Sequence, residues 1–285
     1  MNKGPVVRLG RRLGRVVARR IPTGTPIPIV SGPLRGSRWL AGANAGAGKG
    51  LSIVVNRYEH AQLAAAWTLL EPGSVCLDVG ANTGLYSLLF SKKARLVYAF
   101  EPMPENVARF CAIMRWNRVK NVIVVPCAVG AESALVGLTE GITHACSAIA
   151  EHGRQPAACL SCDDFCERFS VTPGMIKIDV EGAELDVLRG AQTTLATSKP
   201  TILLSVHSEE LRRQCLSYLL SLGYGSCAAL ANPEDTSGFE REFVVTTDHD
   251  HLGRSGLRWS STEAMAEPAP TVAHQAVPSF ECGTQ

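Results

Sequence analysis

Residues 75–92 run VCLDVGANTGLYSLLFSK. Buried-type side chains closed by an acid lead through two glycines into a helix-like pattern, the order strand, tight turn, helix. In an open α/β sheet the first such turn lies beyond the carboxyl ends of the strands, where ligands bind. Gly80 and Gly84 remove side chains where the backbone must turn sharply or approach a ligand. The helix starting near Gly84 offers free N–H groups to an anion. Asp78, at the end of an otherwise apolar strand, suits an ammonium or an N–H network. The bland reading of a G-x-x-x-G turn is a plain tight connection.

Working outward, continuous apolar strands alternate with amphipathic helices: ARLVYAFE, PENVARFCAIMRWN, NVIVVPCAV, then MIKIDV, GAELDVLRGAQTTLA, PTILLSVH, SEELRRQCLSYLLSLG and REFVVTTD. That pattern predicts an α/β, doubly wound, mostly parallel sheet covered on both faces. The turn has neither the G-x-G-x-x-G of a dinucleotide site nor the G-x-x-x-x-G-K-[ST] of a P-loop. Glu101 ends the second strand where an acid would grip two ribose hydroxyls. A ligand with a ribose, an amino-acid end and no pyrophosphate fits best, and that ligand is S-adenosylmethionine.

The segment MIKIDVEGAE places Asp179, Glu181 and Glu184 at the same sheet edge. An alcohol is a poor nucleophile, so its methylation needs a base or a cation that stabilises the developing alkoxide. Asp179 and Glu181 could act either way, with metal dependence left open, while Glu181 and Glu184 could instead cap the next helix. Lys177 reads as a pairing or packing residue. His207, at the end of the following strand, is placed as a general base or as a structural histidine.

The stretches RYE, LDVGANTGLYSLLFS, AFEPMPENV and IKIDVEGAELDVLRGA together resemble the FkbM-type methyltransferase family of class I S-adenosylmethionine-dependent enzymes, over roughly residues 55 to 210. The resemblance implies a seven-stranded Rossmann-like sheet with its last strand antiparallel, and O-methylation of hydroxyls on sugars or secondary metabolites. It implies that Asp78, Gly80, Asn82 and Gly84 hold the methionine part of the cofactor and that Glu101 binds the ribose. Met103 and Ala128 would flank the adenine, and Glu59 would help at the amino end. Relatives commonly carry an acid two residues before His207, where this chain has Ser205.

The 285 residues are 46% hydrophobic, enough for one principal core. The first twenty residues hold seven Lys/Arg and no acid, which leaves 21 bases against 26 acids in the rest. The body is therefore not built as a nucleic-acid surface, and no run of eighteen apolar residues exists to span a membrane. The amino-terminal VVRLGRRLGRVVARRIP is basic and amphipathic; it reads as a mobile tail, or as a segment that could contact an anionic membrane or act in targeting. Ten cysteines show no paired metal or disulfide spacing, so they read as reduced thiols in a reducing, cytoplasmic setting.

The expected organisation is a basic mobile segment at 1–21, a short β-rich cap at 22–57, the methyltransferase domain at 58–252 and a disordered tail at 253–285. The expected partner is a small-molecule or saccharide acceptor chosen by the cap and by loops 139–157 and 231–240. The competing function is a non-catalytic or regulatory protein that keeps the fold.

Overall fold

A computed structural model describes residues 20–43, 50–140, 147–149, 153, 155–230 and 241–266. An antiparallel pair, β1 (Pro26–Pro28) and β2 (Arg38–Leu40), precedes helices α1 (Leu51–Val54) and α2 (His60–Leu69). The alternating part follows: β3 (Val75–Val79), α3 (Leu85–Phe90), β4 (Leu96–Phe100), α4 (Pro104–Trp116) and β5 (Val122–Val125). Four strands leave the main sheet, β6 (Ala128–Val129), β7 (Ala134–Glu140), β8 (Ser147–Ile149) and β9 (Gln155–Leu160), before α5 (Cys162–Phe169). The chain returns through β10 (Met175–Ile178), α6 (Glu184–Arg189), α7 (Gln192–Ser198), β11 (Thr201–Ser205), α8 (Glu209–Ser221), β12 (Ser226–Ala229) and β13 (Glu242–Thr246). It closes with α9 (His249–Ser255), β14 (Ser260–Ser261) and α10 (Thr262–Ala266).

The main sheet has the order β14-β12-β13-β11-β10-β3-β4-β5. From β11 to β5 every pairing is parallel, and β13 enters antiparallel beside β11. Every residue of β3, β10 and β11 is buried, as centre strands covered on both faces require. Alternation sends Met175 into the core under α2 and α3 and sends Ile176 and Ile178 into the opposite core. Lys177 shares the first face, so a charged side chain is built into a layer that is otherwise apolar. Because β3, β4, β10 and β11 run in one direction, their carboxyl ends deliver Asp78, Glu101, Asp179 and His207 to one edge.

Three expectations are corrected. LSIVV reads as β-like but forms α1, because Ile53 and Val54 bury as one helical turn after Gly50 (φ 80°), and burial overrides β-propensity. The main sheet has eight strands rather than seven: the small residues SCAA of β12 give no strand signal, and β14 adds a two-residue edge. Strands β6–β9 form a separate four-stranded sheet beside the main one. Residues 253–266, expected within a disordered tail, carry β14 and α10, held by the fully buried Thr262 and by Met265 and Ala266 against the core. Residues 1–19 and 267–285 lie outside the described residues, as do residues 231–240 and most of the loop at 141–154.

Candidate active site

The turn after β3 is as tight as its glycines suggest. Gly80 has φ 76°, and a Cβ there would lie 1.8 Å from the backbone oxygen of Asp179, so only glycine lets the β3 turn abut the end of β10. Gly84 (φ 88°) is pressed against the Phe110 ring, 2.6 Å from where its Cβ would be. Asn82 sits between them in the left-handed region (φ 50°), and its N–H donates to Glu101 Oε2 at 2.8 Å. Glu101 Oε1 accepts from the Met103 N–H (2.9 Å) and from Asn106 Nδ2 (3.2 Å). One carboxylate thus ties the loop after β3 to the loop after β4. Burial pushes the Glu101 carboxyl up, against the pull of these three donors.

A cleft of about 630 Å³, partly open to solvent, lies over this edge. Gly80, Asn82, Glu101, Ala128, Asp179 and Glu181 line it, with Phe100, Cys127 and Leu138 as apolar wall. Leu138 comes from the smaller sheet, which therefore forms one side of the cleft. Met103 and Gly84 are not among the residues that line it. Asp78 is fully buried beneath the turn: its Oδ2 accepts from Ser87 Oγ at 2.5 Å, and its Oδ1 has no hydrogen-bond partner among the described residues.

The second half of the site is a charge cluster. Lys177 Nζ donates to Asp179 Oδ2 at 3.0 Å and lies 4.8 Å from the centre of the Tyr86 ring. Burial pulls the Lys177 ammonium down, but Asp179, Asp78 and Glu59 outweigh it, and the group stays charged. Burial likewise pushes the Asp179 carboxyl up, and Lys177, His207 and Arg241 reverse this to a value below the usual range. Glu59, half-buried before α2, is hydrogen-bonded to Tyr58 and Tyr86, and burial with the nearby Asp179 raises its pKa.

His207 bridges three acids. Its Nδ1 meets Glu184 Oε1 at 2.6 Å, and its Nε2 lies 3.2 Å from Glu181 Oε2 and 3.7 Å from Asp179 Oδ1. Burial alone would lower the imidazole; Glu184, Asp179 and Glu181 together hold it above its ordinary value. Glu181 reaches this position through a left-handed backbone (φ 54°) beside Gly182.

A family model described as the methyltransferase FkbM domain matches residues 78–226, just over half of the chain. The chain belongs to the FkbM methyltransferase family. It is 31% identical over 147 residues to a hexuronic acid methyltransferase, AglP, of Haloferax volcanii, an alignment covering 48% of this chain. It is 29% identical over 146 residues, 41% of this chain, to Methyltransferase 1 of Beauveria bassiana. The chain spans 58% of the length of each of these two relatives. Among solved structures, a methyltransferase FkbM from Methylobacillus flagellatus aligns with TM-score 0.49 and 19% identity, over 61% of this chain and 43% of that one.

Three residues of this FkbM chain gain their place in the site only from the structure. Glu184, which the sequence also allows as a helix cap, is fully buried, accepts from the Gly182 N–H at 3.0 Å and holds His207. The E-G-A-E spacing, which returns the second acid beneath the first across a glycine turn, was the available signal. Lys177 is the cation of the cluster, as a lysine inside a buried strand can signal. Glu242 of β13 pairs in register with Ser205, whose Oγ donates to its Oε2 at 2.7 Å. The neighbouring strand thus sets a carboxylate beside position 205, which sequence spacing cannot reveal.

Proposed function

We propose that the chain is an S-adenosylmethionine-dependent O-methyltransferase acting on a hydroxyl of a saccharide or secondary-metabolite acceptor. The observation that carries this reading is the Glu184–His207 pair: a buried carboxylate on Nδ1, with Nε2 turned to the cleft edge where Asp179 and Glu181 stand. That is the arrangement of a general base oriented by an acid.

The residues fit the cofactor. The unpartnered Asp78 Oδ1 and the acid-rich edge suit an ammonium and a sulfonium, and a carboxylate has roughly four acceptor positions, so Glu101 keeps room for a ribose hydroxyl beyond its three N–H donors. When bound, the cofactor supplies an electrophilic methyl group. Gly80 leaves the edge open for it, while Asn82 and Ala128 bound the cleft. Neutral His207 Nε2 accepts the acceptor's hydroxyl proton, and Glu184 stabilises the imidazolium that results. Asp179, kept ionised by Lys177, and Glu181 orient the hydroxyl and the ring.

Asp179, Glu181 and His207 also offer one ligand atom each within 4.8 Å of one another, a donor set that a divalent cation could use. The Lys177 ammonium 3.0 Å from the same Asp179 carboxylate opposes a second positive charge there. Turnover is therefore expected to survive dialysis against EDTA.

The test is calorimetric titration with S-adenosylmethionine and, separately, NAD, followed by labelled-methyl transfer to hexuronic acids and neutral sugars. The hexuronic acid relative makes uronic acids the first acceptors to try. Binding of S-adenosylmethionine lost in Glu101→Ala, with transfer lost in His207→Ala, supports the reading. Binding without transfer to any acceptor would favour a regulatory protein that keeps the fold.

A further inference from the structure

On the opposite edge of the main sheet, a cleft of about 1110 Å³, open to solvent, is lined by Arg38, Lys92, Arg115 and Arg118 around Trp116. No acid lines it. All four cations are exposed, and none has an ion pair among the described residues. The Arg38 guanidinium lies 5.8 Å from the centre of the Trp116 ring, which is itself 49% exposed. The carboxyl end of α4 accounts for Arg115 and Arg118, since cations there offset the helix dipole. It does not account for Arg38, from β2, or Lys92, after α3. Four like charges from three elements converge where no described residue neutralises them, in a body whose remaining bases are outnumbered by acids.

We propose that this face docks on an anionic lipid surface. Exposed tryptophan beside arginine and lysine is the chemistry of a membrane–water interface, where the indole sits at headgroup level and the cations meet phosphate. Stable peripheral binding takes more than one signal. The described chain begins at Arg20, a few residues before β1, which pairs with the strand that carries Arg38. The nineteen residues before Arg20 add six Lys/Arg and no acid, a second basic segment in the sequence. The thirteen residues of α4 separate this face from the cofactor cleft by about 20 Å. The ligand here is therefore not the group being methylated.

The test is co-sedimentation of the full chain with phosphatidylcholine vesicles, with and without phosphatidylglycerol, at low and high salt. Binding is expected only with phosphatidylglycerol, and it should fall as salt rises. At about fivefold per surface charge, Arg115→Gln with Arg118→Gln should weaken it about 25-fold, and Trp116→Ala should weaken it further. Thermal melts check that the variants fold, and Arg38→Gln with Lys92→Gln serves as the second pair should the first not. Variants that bind as well as the parent would place any docking in the amino-terminal stretch alone and overturn the proposal. So would indifference to phosphatidylglycerol, or tighter binding of duplex RNA that competes with the vesicles.

Discussion

His207 is a base only when neutral, and the acids around it hold it protonated to a pH above the ordinary imidazole value. Turnover should therefore rise with pH through an acidic limb lying above about 6.5. Replacing Glu184 with Gln removes the largest raising influence, so the limb should move to lower pH while kcat falls about 100-fold. A pH–rate profile of both proteins, with the affinity for S-adenosylmethionine measured alongside, checks this; an unmoved limb would remove His207 from the base role. Glu242 shows the opposite balance: burial and then Asp179 push its carboxyl up to about 8, against the Ser205 hydrogen bond. In the unfolded chain this group ionises near pH 4.5, so between there and about 8 the folded state loses stability as pH rises. Glu242→Gln keeps an acceptor for Ser205 and should raise the melting temperature by about 2–4 °C at pH 8.5, as roughly 1 kcal/mol does in a domain of this size. The gain should vanish at pH 4.

Between elements, Asn117 is the joint that fastens the amino-terminal hairpin to the main body. It receives the Arg38 N–H at 2.7 Å and donates from Nδ2 to the Arg38 and Ile113 carbonyls, each at 2.8 Å. Asn117→Ala should cost about 1–2 kcal/mol, the worth of one or two part-exposed hydrogen bonds, and urea denaturation would show it as a lower midpoint. At this scale the chain is legible wherever a strand is apolar and an acid marks its end: VCLDVG, LVYAFE and MIKIDV state both their structure and the sheet edge they serve. It is illegible where small residues make a strand, as in SCAA, and where a β-branched run is one buried helical turn, as in LSIVV. The candidate site divides in the same way. Glu101, Asp179 and His207 stand at strand ends and could be listed by position, whereas Glu184 and Glu242 matter through what they touch across a turn or a strand pair.

For the whole molecule, the two cores on either side of the sheet enclose nearly all the described thiols. Among the described residues eight cysteines are free, and seven of them are buried; burial pushes Cys76 and Cys127 up to about 12. A buried thiol that far above neutrality is nearly inert. Alkylation of the native protein, followed by peptide mapping, should therefore modify Cys111 first among these eight, with the rest reacting only in denaturant. Fast modification of Cys127 would instead mean that the cleft it lines opens more widely than its walls indicate. Among the described residues no helix is long and apolar enough to cross a membrane.

The Glu101 latch reaches beyond its own two loops. Because one buried carboxylate already fixes the amides of Asn82 and Met103, the ordering entropy of both loops is spent when the chain folds and not when a ligand arrives. Those two amides should exchange with solvent deuterium together and slowly, as one cooperative unit, whether or not the cleft is filled.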